Sequence, residues 1–369
     1  MRITSKRVLS LFLALLMVFS LFPVSAFAAD PGSGTYYVMA GGDGDGSSPD
    51  APLMSIDAVL KAAENDGVSD ITIVLRSNIE ATQTITFTGN KNICITSESG
   101  AFRLIYAGTA DIGTSTGFIE VGNGANVTFD SVELDKGSSS YSSRVLHVSN
   151  GGEVVLDNAT VTNGELRDPN QNRGGAGIFV EAGGSVTLDS GAVVTRNTVT
   201  GGGAGGIYVA ENGSLTVNDA TIFENTADGN GAGIYVATNG AMTLTEGAVI
   251  EANTSSNGGL GGGIYVEADA NASVSGNVSV TGNNAATGND VFLAEGATLD
   301  VAGSTTEGKI GIAAEDEVSY RLVSNQVKPF SSPPPGLATR RASPWRAAAM
   351  IFATWYTTMC RACTCSTRP

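Results

Sequence analysis

The chain has 369 residues, of which 48 are glycine and only 7% aromatic, with a formal net charge of −16. Between Asp30 and Lys328 stand 36 Asp+Glu against 12 Lys+Arg, a balance of −24, which argues against nucleic acid or an anionic membrane surface as a partner. That segment holds one cysteine, Cys94, so no disulfide framework supports the fold.

At the N-terminus, Arg2, Lys6 and Arg7 precede an apolar run from Val8 to Phe22, then Pro23 and Ala26-Phe27-Ala28. That order predicts a secretory signal peptide over residues 1–28, cut after Ala28. No later run is long enough to span a bilayer, so the mature chain is expected to be extracellular, secreted or attached to the cell surface, with no transmembrane segment. Residues 29–70 read as a cap: a strand at Tyr36-Tyr37-Val38, a Gly/Asp loop from Gly41 to Pro52, and a short amphipathic helix opening Ser55-Ile56-Asp57-Ala58-Val59-Leu60. Asp43 and Asp45 in that loop lack the later Glu of an EF-hand and are read as structural. Cys94, in Ile93-Cys94-Ile95, is expected to be buried in a strand.

From residue 71 to 328 one phrase recurs. Gly177-Ile178-Phe179-Val180 returns as Gly206-Ile207-Tyr208-Val209, Gly233-Ile234-Tyr235-Val236 and Gly263-Ile264-Tyr265-Val266, with weaker copies at Phe118-Ile119-Glu120-Val121, Leu146-His147-Val148 and Val291-Phe292-Leu293. The last apolar residues of the seven copies are 27, 32, 29, 27, 30 and 27 positions apart. Each unit holds three short β-branched runs separated by Gly/Asn turns and shows no 3.6-residue period, which predicts one triangular coil of an all-β solenoid. Such coils bury their apolar sides only by stacking on neighbours.

In a solenoid, equivalent residues form columns. Period-2 alternation sends the Ile and Val of each phrase inward and the middle residue outward, giving an outward column Glu120, His147, Phe179, Tyr208, Tyr235, Tyr265 and Phe292. Its aromatics are the candidate ligand-binding residues, a platform for sugar rings, unless they serve only to stack across strands. A second column runs Asp130, Asp157, Asp189, Asn218 and Thr245. Its three carboxylates would repel, and a Ca²⁺ ion would relieve that repulsion, so Asp130, Asp157 and Asp189 are the candidate metal ligands; Asp and Asn opening a turn is the structural reading. A third column, Asn197, Asn225, Asn253 and Asn283, is read as structural, because Asn tolerates a left-handed corner and can form a ladder.

The phrases Gly-Gly-x-Ile-Tyr-Val and x-x-x-Asn-Thr resemble right-handed parallel β-helix repeats. They look like those of the polymorphic outer membrane proteins, in which Gly-Gly-x-Ile and Phe-x-x-Asn phrases alternate; Phe223-Glu224-Asn225 is one residue shorter than the second. The Tyr36 to Leu60 stretch is similar to the N-terminal cap of secreted β-helix proteins, where a short helix covers the first coil. The resemblance implies a right-handed parallel β-helix with a pectate-lyase-like fold, and it leaves function open because lyases, hydrolases and adhesins share it. A lyase of this type would need an Arg or Lys base beside metal-organised carboxylates. Its candidates are Arg167 and Arg173 in the longest inter-coil loop, Asn163 to Arg173, which also holds Asp168 and is flanked by Arg144 and Arg196 on neighbouring coils. The leading reading is a bacterial surface or secreted rod, adhesin-like or glycan-binding, without catalysis. Its partner would be a polysaccharide or a host or cell-surface glycan, and no cofactor is needed beyond the candidate Ca²⁺. The alternatives are a calcium-dependent polysaccharide lyase acting on an acidic glycan and a structural spacer of a larger surface protein.

After Lys328 the texture changes. Pro333-Pro334-Pro335 interrupts the repeat, acidic residues vanish, and both tryptophans and three of the four cysteines follow. Residues 329–369 are therefore expected to be out-of-frame or disordered text.

Overall fold

The computed structural model describes residues 33–138, 141–167, 174–302, 309–315, 321–322 and 351–352. The signal-peptide segment lies outside them. Of the 329–369 tail, Ile351–Phe352 is described, paired antiparallel with Gly311 and Ile312. No helix among the described residues is long and apolar enough to cross a membrane.

The chain is a parallel β-solenoid. Its first face is an eleven-stranded sheet that includes Asn92–Ser97, Asn126–Asp130, Glu153–Asp157, Ser185–Asp189, Ser214–Val217 and Ala241–Leu244. A second face holds Val132–Asp135, Thr160–Thr162, Val193–Thr195, Thr221–Phe223 and Val249–Glu251. The third carries the Ile-Tyr-Val phrases: Ser143–Val148, Ile178–Val180, Ile207–Val209, Ile234–Val236 and Ile264–Val266. Between second and third faces, Glu165–Arg167, Thr198–Thr200 and Thr226–Ala227 form short outer strands.

The seven phrases stack in register: Ile119 on Leu146 on Ile178, then Ile207, Ile234, Ile264 and Val291. The structure adds a copy at each end, Ile85-Thr86-Phe87 below and Ile312-Ala313-Ala314 above. On every face the alternation is the cause. Val127 and Phe129, Val154 and Leu156, Leu134, Val161, and the Ile/Val pair of each phrase all point into one core and are no more than 2% exposed. Each such side chain removed from water contributes roughly 1.5–3 kcal/mol, and stacking on neighbouring coils completes the cover.

The helix α1, Ile56–Asp66, follows from its sequence. Ser55 caps it by accepting from the Ala58 amide, Gly67 ends it in a left-handed conformation (φ 69°), and Ile56, Val59 and Ala63 are buried. Its apolar side joins the core beside Ser33–Val38 and Asp70–Leu75. Tyr36 donates to Asp66 Oδ2 at 2.8 Å; burial first, then this bond and the Asp66 charge, push the Tyr36 hydroxyl up to about 12. Asp45 accepts from the amide and hydroxyl of Ser47, a local turn whose bonds hold its carboxyl below the usual range.

Two expectations need correction. Cys94 is half-buried, on the outside of the first face, because Ile93 and Ile95 take the inward positions and strand alternation leaves it the other side. Burial, then the charges of Asp130 and Asp157, push its thiol up. The third column is a ladder, but the left-handed residue is the one before each Asn: Arg196 (φ 55°), Glu224 (54°), Ala252 (54°) and Gly282 (69°). This twist turns the asparagines inward, where they are 0–5% exposed. Asn197 Nδ2 donates to Asn225 Oδ1 at 2.9 Å, Asn225 to Asn253 at 3.0 Å and Asn253 to Asn283 at 3.0 Å. Each oxygen also accepts from the backbone amide of the Asn one coil earlier. The ladder explains the glycine that opens each phrase: a Cβ on Gly206 would lie 2.5 Å from the Gly233 carbonyl oxygen and 3.1 Å from Asn225 Nδ2.

Candidate functional site

The aromatic column is a continuous stack. Ring centroids are 5.3 Å apart from Phe179 to Tyr208, 4.9 Å to Tyr235, 5.0 Å to Tyr265 and 5.8 Å to Phe292, with interplanar angles of 15°, 9°, 29° and 3°. Stacking along the rod axis occupies the ring faces, and a sugar needs a free face to stack upon. The column is also covered: Phe179, Tyr208 and Phe292 are at most 8% exposed, and Ala204, Ala210 and Ala237 pack against its middle. Tyr235 and Tyr265 are half-buried. The Tyr235 hydroxyl donates to Glu267, which also accepts from the Thr238 amide and hydroxyl. Burial, then that bond, push the Tyr235 hydroxyl up, and burial does the same for Tyr265. At the other end the Arg144 guanidinium lies 4.4 Å above the Phe179 ring, a cation–π contact, and Arg144 is 1% exposed. His147 packs on Phe179, with Nδ1 3.0 Å from Glu120 and Nε2 3.7 Å from Glu181.

Asp130, Asp157 and Asp189 stack in register on the first face. Short donors relieve part of their repulsion. Asp130 accepts from Thr96 and Ser131, Asp189 accepts from Asn218 and the Ser190 amide, and Asn218 accepts in turn from Thr245. Calcium needs six to eight oxygens closing around a point, whereas these lie in a row along a sheet. Among the described residues no group of three His, Cys, Asp or Glu could hold a metal ion, so the row does not fit the group.

The pieces of the lyase reading are not brought together. Arg167 folds back onto Glu165, Nε to Oε1 at 2.6 Å, in the corner between second and third faces, while the Asp row is on the first face. Arg173 and Asp168 lie outside the described residues.

A different cluster converges. Arg103, Ile105, Asp135, Lys136, Asn163, Glu165, Arg196 and Thr198, with Gly137, Ser138 and Gly164, line an open groove of about 660 Å³ beside the outer strands. Asp135 is fully buried and Lys136 is 1% exposed. Asp135 Oδ1 accepts from the Gly137 amide at 2.7 Å and from Asn163 Nδ2 at 2.8 Å. Arg103 pairs with Asp135 and with Glu133, the latter at 3.4 Å, and Lys136 Nζ lies 3.2 Å from Glu165 Oε2.

The fold does not require this cluster. In the same column as Asp135 the later coils carry Thr162, Thr195, Phe223, Glu251 and Thr281. Burying charges costs stability even when they are paired, and local rules are broken mainly at functional places. Sequence reading passed over Asp135-Lys136 because the coil that holds them lacks the Asn phrase that marks the column. The available signal was that absence, with adjacent opposite charges at a strand end.

Residues 115–315, more than half of the chain, match the family model described as a right-handed beta helix region. Neither the curated proteins nor the solved structures provide a match.

Proposed function

The chain belongs to the right-handed β-helix family, and from that premise we propose an adhesin-like rod, secreted or held at the cell surface, that grips a polysaccharide or cell-surface glycan in the Arg103–Arg196 groove without cleaving it. The observation that carries this reading is the placement of costly buried charges, Asp135 and Lys136, beneath an open groove whose other polar residues are Asn163, Glu165, Ser138 and Thr198. Fixed donors and acceptors at the floor of a concavity are what sugar hydroxyls require. The ring column is consumed in the stack, where rings face rings, and the asparagine ladder is buried, where amides bond amides. The order of residues 1–28 supports export.

Binding without turnover fits the groove's internal pairing. Proton abstraction needs an available base within reach of substrate; Lys136 is tied to Glu165 and Arg103 to Asp135 and Glu133, so among the described residues Arg196 is the one groove cation on which turnover would have to rest, and the following experiment reads it. The protein, incubated with a panel of neutral and uronic-acid polysaccharides with and without Ca²⁺, is expected to be retained on at least one glycan and to generate no ultraviolet absorbance from unsaturated chain ends. New absorbance would establish a lyase instead, and the absence of both retention and absorbance would leave a structural spacer.

A further inference from the structure

We infer that the groove selects an acidic sugar, one bearing a carboxylate or a sulfate, and that Arg196 is the residue that reads its charge. The inference rests on the glycan reading above and deepens it. Arg103, Lys136 and Arg196 are a quarter of the 12 basic residues between Asp30 and Lys328, yet all three line this one groove. Against them the lining sets two carboxylates, Asp135 and Glu165, so the groove keeps a net positive charge in a segment with a balance of −24. Two of the three cations are already neutralised inside the groove, Arg103 by Asp135 and Glu133, Lys136 by Glu165. Arg196 is exposed and forms no ion pair with any described residue.

Its position argues in the same direction. Arg196 occupies the left-handed corner that precedes the ladder Asn, in line with Asn163, Glu224, Ala252 and Gly282 on the other coils. Arginine is a poor occupant of positive φ compared with Gly or Asn, and the next coil carries the opposite charge there. The corner therefore dictates backbone shape and leaves the side chain free to vary, so the guanidinium is a property of the groove rather than of the stack. Its planar fork matches the two oxygens of a carboxylate, or two of a sulfate, bidentately. Ser138 and Thr198, on the same lining, are placed for the hydroxyls of the same sugar.

The test is calorimetric titration of the protein, and of Arg196→Gln and Arg196→Lys, with a glucuronate-containing oligosaccharide, its methyl ester, a sulfated counterpart and a neutral glucose oligomer. The unmodified protein should bind the carboxylate or the sulfate probe about tenfold or more tighter than the ester, the scale of a charge-assisted bond. Which of the two anions is preferred identifies the group. Arg196→Gln should bring that ratio close to one at an unchanged melting temperature, and Arg196→Lys should retain part of it. Equal binding of acid and ester by the unmodified protein, or an undiminished ratio in Arg196→Gln, would overturn the inference and leave the glycan reading standing. No binding of any probe would overturn it as well, and the glycan reading would fail separately only if the wider polysaccharide panel were also empty.

Discussion

Asn225→Ala is expected to destabilise the β-helix by roughly 3–6 kcal/mol, because each buried group left without its partner costs about 1–3 kcal/mol. Asn225 Oδ1 accepts from the amide and the Nδ2 of Asn197 at 3.1 and 2.9 Å, and Asn225 Nδ2 donates to the Val194 carbonyl at 2.9 Å. Alanine would orphan those two donors and that acceptor at a site with no solvent access, and it would cut the ladder at its middle. At about 2–4 °C per kcal/mol for a chain of this size, the melting temperature should fall by roughly 10 °C. Asn218→Ala removes an amide that bonds Asp189 on the half-exposed first face and should shift the melt far less. Equal shifts in the two variants would mean that the buried ladder carries no more than a surface bond.

Gly233→Ala should be comparably damaging for a steric reason. Its Cβ would sit 2.5 Å from the Gly263 carbonyl oxygen and 3.0 Å from Asn253 Nδ2. The first contact is with backbone fixed by the next coil, since the Ile234 amide donates to that same oxygen at 2.8 Å. The second is with a ladder rung. Overpacking of this kind typically costs about 1–3 kcal/mol, and interrupted coil-to-coil hydrogen bonds add to it, so a loss of roughly 3 kcal/mol or more is expected in thermal or denaturant unfolding. A Gly233→Ala protein that melts like its parent would show that neighbouring coils part easily and that the opening glycine has another cause.

Together these two residues show how much of the fold was legible in the sequence. The Ile-Tyr-Val copies named the third face and its register, because a two-residue alternation repeated at a near-constant period admits one arrangement of inside and outside. The glycine and asparagine columns were visible as repeats, but their mutual contact was not, since it joins residues about 20 positions apart in adjacent coils. The left-handed corner was assigned to the wrong member of each pair for a related reason. Asn is the residue that tolerates positive φ most readily, yet the requirement to bury its amide placed that conformation on Arg196, Glu224 and Ala252 instead.

The site was far less legible. Reading down columns found the rings and the Asp row because both repeat, and repetition is the mark of a structural role in a solenoid. The rings fill one another's faces, and the Asp row lies along a sheet rather than around a point. The groove was hidden by the opposite property. Asp135, Lys136 and Glu165 each occur once, on coils whose phrases are irregular, and their convergence depends on a corner that pairing across coils creates.

The most direct test of the account separates the groove from the ring stack. The polysaccharide panel should be repeated with Thr198→Trp, which fills the groove without removing any of its ion pairs, and with Tyr235→Leu, which breaks the stack. The account predicts that Thr198→Trp abolishes glycan retention at an unchanged melting temperature, while Tyr235→Leu lowers the melting temperature and retains the glycan. Retention that survives Thr198→Trp and disappears with Tyr235→Leu under folded conditions would contradict it and move the binding surface to the aromatic column.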